Sequence, residues 1–186
     1  MTGPRIAPLP ADERDPRTQE LLDGMGLGGD DLNLFTTLAR HPRLLKRWSA
    51  FGGLLLFRGT LGDRDREVLI LRTAANTGAH YEWGHHTVIA ERAGLDAAEV
   101  RALADPAPEP AGLREADLLL VRAADELHRD NVLGDDTWAH LAERYDEQQL
   151  IELCMVVGQY HLVAFTLRSL GVEPEEGCEP IPAVGA

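Results

Sequence analysis

Apolar residues recur along this chain at the three-to-four spacing of amphipathic helices, and loop signals punctuate them. Ala116, Leu119, Leu120, Ala123, Ala124 and Leu127 form the clearest stripe and predict a helix over 114–129. Glycines mark helix stops: Gly24 after a short helix over 15–24, Gly78 after 63–76, Gly94 after 81–93 and Gly171 after 148–170. Asp63 is expected to cap the 63–76 helix, and Asp96-Ala-Ala-Glu99 is a capping-box pattern for a short helix reaching Ala104. Further helices are expected over 33–40, ended by His41-Pro42, over 44–57 and over 135–145. The 44–57 segment is apolar nearly all round, as befits a buried helix or one in an interface. No alternating run of β-branched residues is long enough to predict a strand. The expectation is an all-α protein with one helical domain over 1–172. Its first 32 residues form an extension with a short helix, and 173–186 a flexible tail.

Two acids and a histidine break this pattern. On a helical wheel Glu82 and His86 share a face with Ile89 and Ala93, while Gly84, Thr87 and Glu91 lie opposite. In the preceding helix Glu67 shares a face with Ile70, Leu71 and Ala74. All three ionisable groups thus point where apolar residues point, and burying a carboxylate is costly unless it is paired. Acids placed beside an imidazole at such a cost mark a candidate catalytic site. The short connection around Gly78 should fold the two helices into an antiparallel hairpin and bring the groups together.

A net charge of −13 argues against nucleic acid and against anionic membrane surfaces. An acidic small molecule is still compatible if one cation faces it, and Arg72 on the Glu67 helix is a candidate. No run reaches the ~18 continuous apolar residues of a membrane span; 150–170, the most apolar, is broken by Glu152, Gln159, His161 and Arg168. The N-terminal residues are polar and proline-rich, so a cytoplasmic location is expected. Cys154, in an apolar helix, reads as a core thiol, and Cys178 lies in the polar tail; their spacing fits no metal or redox motif.

The segments Arg64–Arg72, Asn76-Thr-Gly-Ala79-His-Tyr81-Glu82-Trp83-Gly-His-His86 and Ala93-Gly94-Leu95 resemble the carboxymuconolactone decarboxylase family. The likeness continues through 113–127 and Tyr160-His161, covering about 34–172. It implies the helical fold of the alkyl hydroperoxidase D proteins and a homotrimer, or a homohexamer of three dimers. The peroxidase branch carries Cys-x-x-Cys-x-x-x-His, with a glutamate twelve residues before the first cysteine. Glu67 and His86 fall on the glutamate and the histidine, but Ala79 and Glu82 occupy the cysteine positions. Peroxide reduction needs a thiolate nucleophile and a resolving thiol, so thiol peroxidase activity is not expected. The decarboxylase branch, which also lacks the pair, implies cofactor-independent loss of CO₂ with a double-bond shift on a small carboxylated lactone.

The candidate catalytic residues are therefore Glu67, Glu82 and His86, with His86 moving the proton. Arg72, Tyr81, Trp83 and His161 are the candidates to contact substrate, although Tyr81, Trp83 and His161 read more readily as packing residues. No metal and no cofactor is expected. Glu82 and His86, with Glu67 or His161, could grip an ion, but their spacing is not that of a zinc protease and the resemblance implies none. The alternative is a non-catalytic oligomeric scaffold or small-molecule binder. A catalyst needs the three groups to face one reachable cavity; a scaffold would fill that space with side chains such as Trp83 or Phe165. Apolar residues over 51–57 around Gly52 and Gly53 supply a further motive for self-association.

Overall fold

The structure is a computed structural model that describes residues 3–25 and 32–183. Nine α-helices, a short 3₁₀ turn at Ala11–Glu13 and no strand occur among the described residues. The helices are α1 (Pro16–Asp23), α2 (Asn33–Leu38), α3 (Pro42–Phe57), α4 (Asp63–Thr77), α5 (His80–Arg92), α6 (Ala97–Ala102), α7 (Glu115–Asp130), α8 (Asp135–Arg144) and α9 (Glu147–Leu170).

Their ends follow local chemistry. Asp15 caps α1 by accepting from the Arg17 and Thr18 amides, and Asp96 with Glu99 forms the expected capping box on α6. Helix α3 begins two residues earlier than expected, because Pro42 occupies its first turn, where no amide is needed. Asp63 does not cap α4. It is itself helical, its carboxylate pairs with Arg66, and Gly62 takes the cap position.

Helix α4 is the central post of the fold, packed by α5, α7 and α9. Every residue from Arg66 to Ala74 is buried, so the single apolar face read from the sequence proves to be burial on all sides. Three charged side chains, Arg66, Glu67 and Arg72, therefore lie inside the protein and each must be satisfied there. Gly78 ends α4 in the left-handed conformation, φ 64°, which an L side chain adopts only with strain. The amides of Gly78 and Ala79 bond back to Ala75 and Ala74, and α5 starts at once as the return arm of the antiparallel hairpin.

Residues 173–183, the segment expected as a tail, make contacts with the helical body. They lie on α5, with Ile181 packed against the core and its amide donating to His80 Nδ1. Gly84 makes this possible: a Cβ there would meet Cys178 Cβ at 2.9 Å. The wheel position opposite the Glu82–His86 face is thus covered by the C-terminal segment. Residues 1, 2, 26–31 and 184–186 of the expected extension and tail fall outside the described residues.

Helix α9 is long and apolar enough to cross a membrane by length and composition, and half of its apolar window is buried within the fold. Its outward positions include Ile151, Met155, Leu162 and Phe165. Cys154 is exposed on this helix and is not the core thiol its apolar neighbours suggest. On α3 only Leu45 and Leu55 are buried, while Leu44, Phe51, Leu54 and Phe57 are exposed.

Candidate active site

Glu67, Glu82 and His86 meet across the α4–α5 hairpin. Glu67 is fully buried, and Glu82 and His86 are each 5% exposed. His86 Nδ1 lies 2.7 Å from Glu67 Oε2. A carboxylate only accepts, so Nδ1 carries the hydrogen and donates it. That leaves Nε2 as the working nitrogen, 3.7 Å from Glu82 Oε2. The other oxygen of Glu67 accepts from Arg66 Nε at 3.0 Å, and Arg66 also pairs with Asp63 at 2.8 Å. The chain Asp63–Arg66–Glu67–His86 thus fixes the imidazole's tautomer and ring orientation. Tyr160 on α9 meets the ring edge-on, with centroids 5.0 Å apart.

Burial works against a charged imidazole, but the charge of Glu67, its hydrogen bond and the charge of Glu82 outweigh it, so the His86 pKa is raised above 6.5. Burial raises the Glu82 pKa above 4.5, against the opposing pull of His86 and His85. The two groups are close enough to titrate as a set. A proton is therefore available at this site in the range where free carboxylates have lost theirs.

Glu82 and His86 open onto a trough of about 1370 Å³ between α1, α2 and α3 on one side and α5 and α9 on the other. Gln159, Tyr160, Val163 and Trp48 share its lining. Arg17, Arg43, Lys46 and Arg58 also line it, alongside Asp15 and Glu20. Glu67 is not in the wall; it backs His86 from within.

None of the four expected substrate contacts reaches this trough. Arg72 is 2% exposed, and its guanidinium is held by both Asp125 oxygens at 2.7 Å and by the carbonyls of Leu103, Asp105 and Ala107. With its donors so engaged it ties α4 to α7 and the 105–107 loop and is not a substrate cation. Trp83 is 2% exposed within the main core. Tyr81 donates its hydroxyl to Glu175 and accepts from the Leu34 amide. His161 donates from Nδ1 to the Val157 carbonyl and accepts at Nε2 from His128. Sequence reasoning missed Tyr160, Gln159 and the cations of α1 and α3. Gln159 carried a usable signal, since a buried polar residue in the apolar α9 run is the same anomaly that marked Glu82. The cations carried none, because they converge only in three dimensions.

Residues 42–126 match the sequence model of the carboxymuconolactone decarboxylase family, so the resemblance read from the hairpin motif is to that family. No curated protein matches the chain. An uncharacterized peroxidase-related protein of Ralstonia eutropha JMP134, described as an alkylhydroperoxidase AhpD core, superposes with a TM-score of 0.77 at 16% identity, over 94% of this chain and 98% of that one. An uncharacterized peroxidase-related protein of Silicibacter sp. TM1040 gives 0.79 at 14%, over 96% of each. The debrominase Bmp8, as a cysteine-to-alanine variant in complex with 2,3,4-tribromopyrrole, gives 0.69 at 18%, over 92% of this chain and 91% of that one. At such identities these likenesses establish the alkyl hydroperoxidase D-like all-α fold.

Proposed function

We propose that the His86 site carries out cofactor-independent acid–base chemistry, decarboxylation or isomerisation, on a small carboxylated or lactone substrate. The observation that carries this reading is the division of labour on one imidazole. Nδ1 is committed to a fully buried carboxylate, while Nε2 faces Glu82 at the wall of a reachable trough. In a decarboxylation the carbon–carbon bond to the carboxylate breaks, CO₂ leaves, and the electron pair spreads into the adjoining unsaturated system. Imidazolium Nε2–H then protonates the far carbon, which shifts the double bond, and the neutral ring recovers its proton from Glu82 or from solvent. Isomerisation uses the same groups without loss of CO₂, with Glu82 removing one proton as His86 delivers another.

The cations at the trough give an anionic substrate a place to bind in spite of the overall negative charge. The non-catalytic reading is disfavoured because the side chains that would fill the space do not: Trp83 is turned into the core and Phe165 is 64% exposed. The working form we propose is a homotrimer or homohexamer joined through the exposed apolar residues of α3 and α9. A screen of small carboxylated lactones and β-keto acids for CO₂ release tests the chemistry. Turnover by the native chain that is lost in His86→Ala supports it, and equal turnover by both refutes it.

A further inference from the structure

The residue before His86 takes part in a second cluster. Consecutive helical residues point roughly 100° apart, and His85 hydrogen-bonds to a different carboxylate from His86. Its Nε2 lies 2.5 Å from Glu175 Oε2 and 3.6 Å from Cys178 Sγ. These three donor atoms, a nitrogen, an oxygen and a sulfur, lie within 4.8 Å of one another. His85 and Glu175 are only partly exposed, at 27% and 23%.

We propose that His85, Glu175 and Cys178 form a binding site for a zinc-type divalent cation that clasps the C-terminal segment onto α5. Three observations carry the proposal. The first is convergence on a single nitrogen. Glu175 and Cys178 both approach Nε2 of His85, so this is not a relay in which the carboxylate orients one ring nitrogen and the thiol uses the other. One cation satisfies all three donors at once. The second is spacing. Tetrahedral zinc with bonds of ~2.0–2.1 Å to nitrogen and ~2.3 Å to sulfur places those two ligands ~3.6 Å apart, which is the distance already present. The Glu175 oxygen has to swing out by ~0.8 Å, replacing its hydrogen bond with a bond to the metal.

The third is the support behind the ligands. The other Glu175 oxygen, Oε1, accepts from the Asn33 amide at 2.6 Å and from the Tyr81 hydroxyl at 2.9 Å, the kind of outer partner that orients a ligating carboxylate. The Tyr81 ring also packs on the imidazole of His85, centroid to centroid 4.7 Å. A tight turn, closed by the Cys178 amide on the Glu175 carbonyl and passing through Gly177 at φ 89°, aims Glu175 and Cys178 the same way. Gly84 then lets Cys178 lie directly on the helix. The metal takes Cys178 as the thiolate and His85 as the neutral imidazole, so uptake releases the thiol proton to solvent. Affinity therefore rises with pH. The site does not depend on the acid–base reading of His86.

Co²⁺ titration of the metal-stripped full-length chain is the test, read by the near-ultraviolet thiolate-to-cobalt absorption band. One Co²⁺ per chain with that band is expected for the native protein. The band should vanish in Cys178→Ser and His85→Ala and persist in Cys154→Ser and His86→Ala. Tyr81→Phe should bind about 10-fold more weakly with the same stoichiometry. Zn²⁺ should displace Co²⁺ and raise the melting temperature of the native chain but not of Cys178→Ser, which alters only a surface segment and leaves the fold in place. A native chain without the band, a Cys178→Ser variant that binds as tightly as the native one, or a band that depends on His86 would each overturn the site.

Discussion

His86 donates Nδ1–H to Glu67 across 2.7 Å, from one arm of a tight helical hairpin to the other. Because Glu67 is completely buried, solvent does not weaken the pairing, and the imidazole has a reason to hold its proton that a surface histidine lacks. The expected consequence is a His86 pKa above 6.5 that falls in Glu67→Gln, and falls by less in Glu82→Gln, since Glu67 is the larger of the two raising influences. Proton titration by NMR of the three proteins reads this directly. An imidazole indifferent to both substitutions would mean that the three groups are not coupled.

The same shifts set how stability depends on pH. His86 has a folded pKa raised above 6.5, so its contribution is complete below pH 6.5 and is lost as pH climbs through the raised value. Glu82 is raised above 4.5 by burial, and its contribution is complete below pH 4.5 and likewise lost as pH rises. Both therefore act in one direction. The stability of the native chain relative to a Glu82→Gln/His86→Gln double variant should decline as pH rises from 4.5 through the two raised values. Chemical denaturation at a series of pH values checks it, and a pH-independent difference would count against the linkage.

Much of this was legible in the sequence because it is local. Helix stops at Gly78, Gly94 and Gly171, the capping box at Asp96 and the inward placement of Glu67, Glu82 and His86 follow from periodicity and backbone chemistry within a few turns. What was not legible depends on contacts between distant segments. Arg72 looked like a substrate cation because its partner Asp125 lies 53 residues away. Gly84 fell opposite the Glu82–His86 face, and nothing local shows that Cys178 covers it. Cys178 looked inert for the same reason: its histidine neighbour is 93 residues distant in the chain.

The reassignment of Arg72 can be checked by separating stability from binding. Removing one partner of a buried, hydrogen-bonded ion pair leaves the other charge unsatisfied, at a cost of about 3 kcal/mol. Arg72→Ala should therefore lower unfolding stability by about that amount, while the KM of the folded fraction stays near the native value. A variant of native stability with a strongly raised KM would restore Arg72 as a substrate contact.

Self-association should run through a definable seam. Ile151, Met155, Gly158, Leu162 and Phe165 are exposed on α9 at alternating steps of four and three, the spacing with which helices pack side by side. Phe51, Leu54 and Phe57 add exposed apolar surface on α3. Light scattering at low micromolar concentration is expected to give a trimer or hexamer of the 20.4 kDa chain. Ile151→Asp with Phe165→Asp should release monomers that keep their helical circular dichroism. A native chain that runs as a monomer under these conditions sinks the proposal.

Fold likeness to peroxidase-related proteins invites an assay for thiol peroxidase activity, and the outcome expected here is none. The two motif positions that would hold the redox pair are Ala79, buried against the core, and Glu82. Neither side chain can form a sulfenate or resolve one. Cys154 is exposed on α9 but lies outside the trough wall that Glu82 and His86 share, and it has no partner thiol. Cys178 sits beside His85, and its thiol is pushed above its ordinary value by burial and by the charge of Glu175, which keeps it protonated and weakly nucleophilic at neutral pH. Peroxide consumption driven by a dithiol donor should thus match a protein-free blank, and Cys154→Ser and Cys178→Ser should leave that rate unchanged. Turnover that disappears on replacing either cysteine would show that a thiol outside the motif has taken over the chemistry, and the acid–base reading would have to give way.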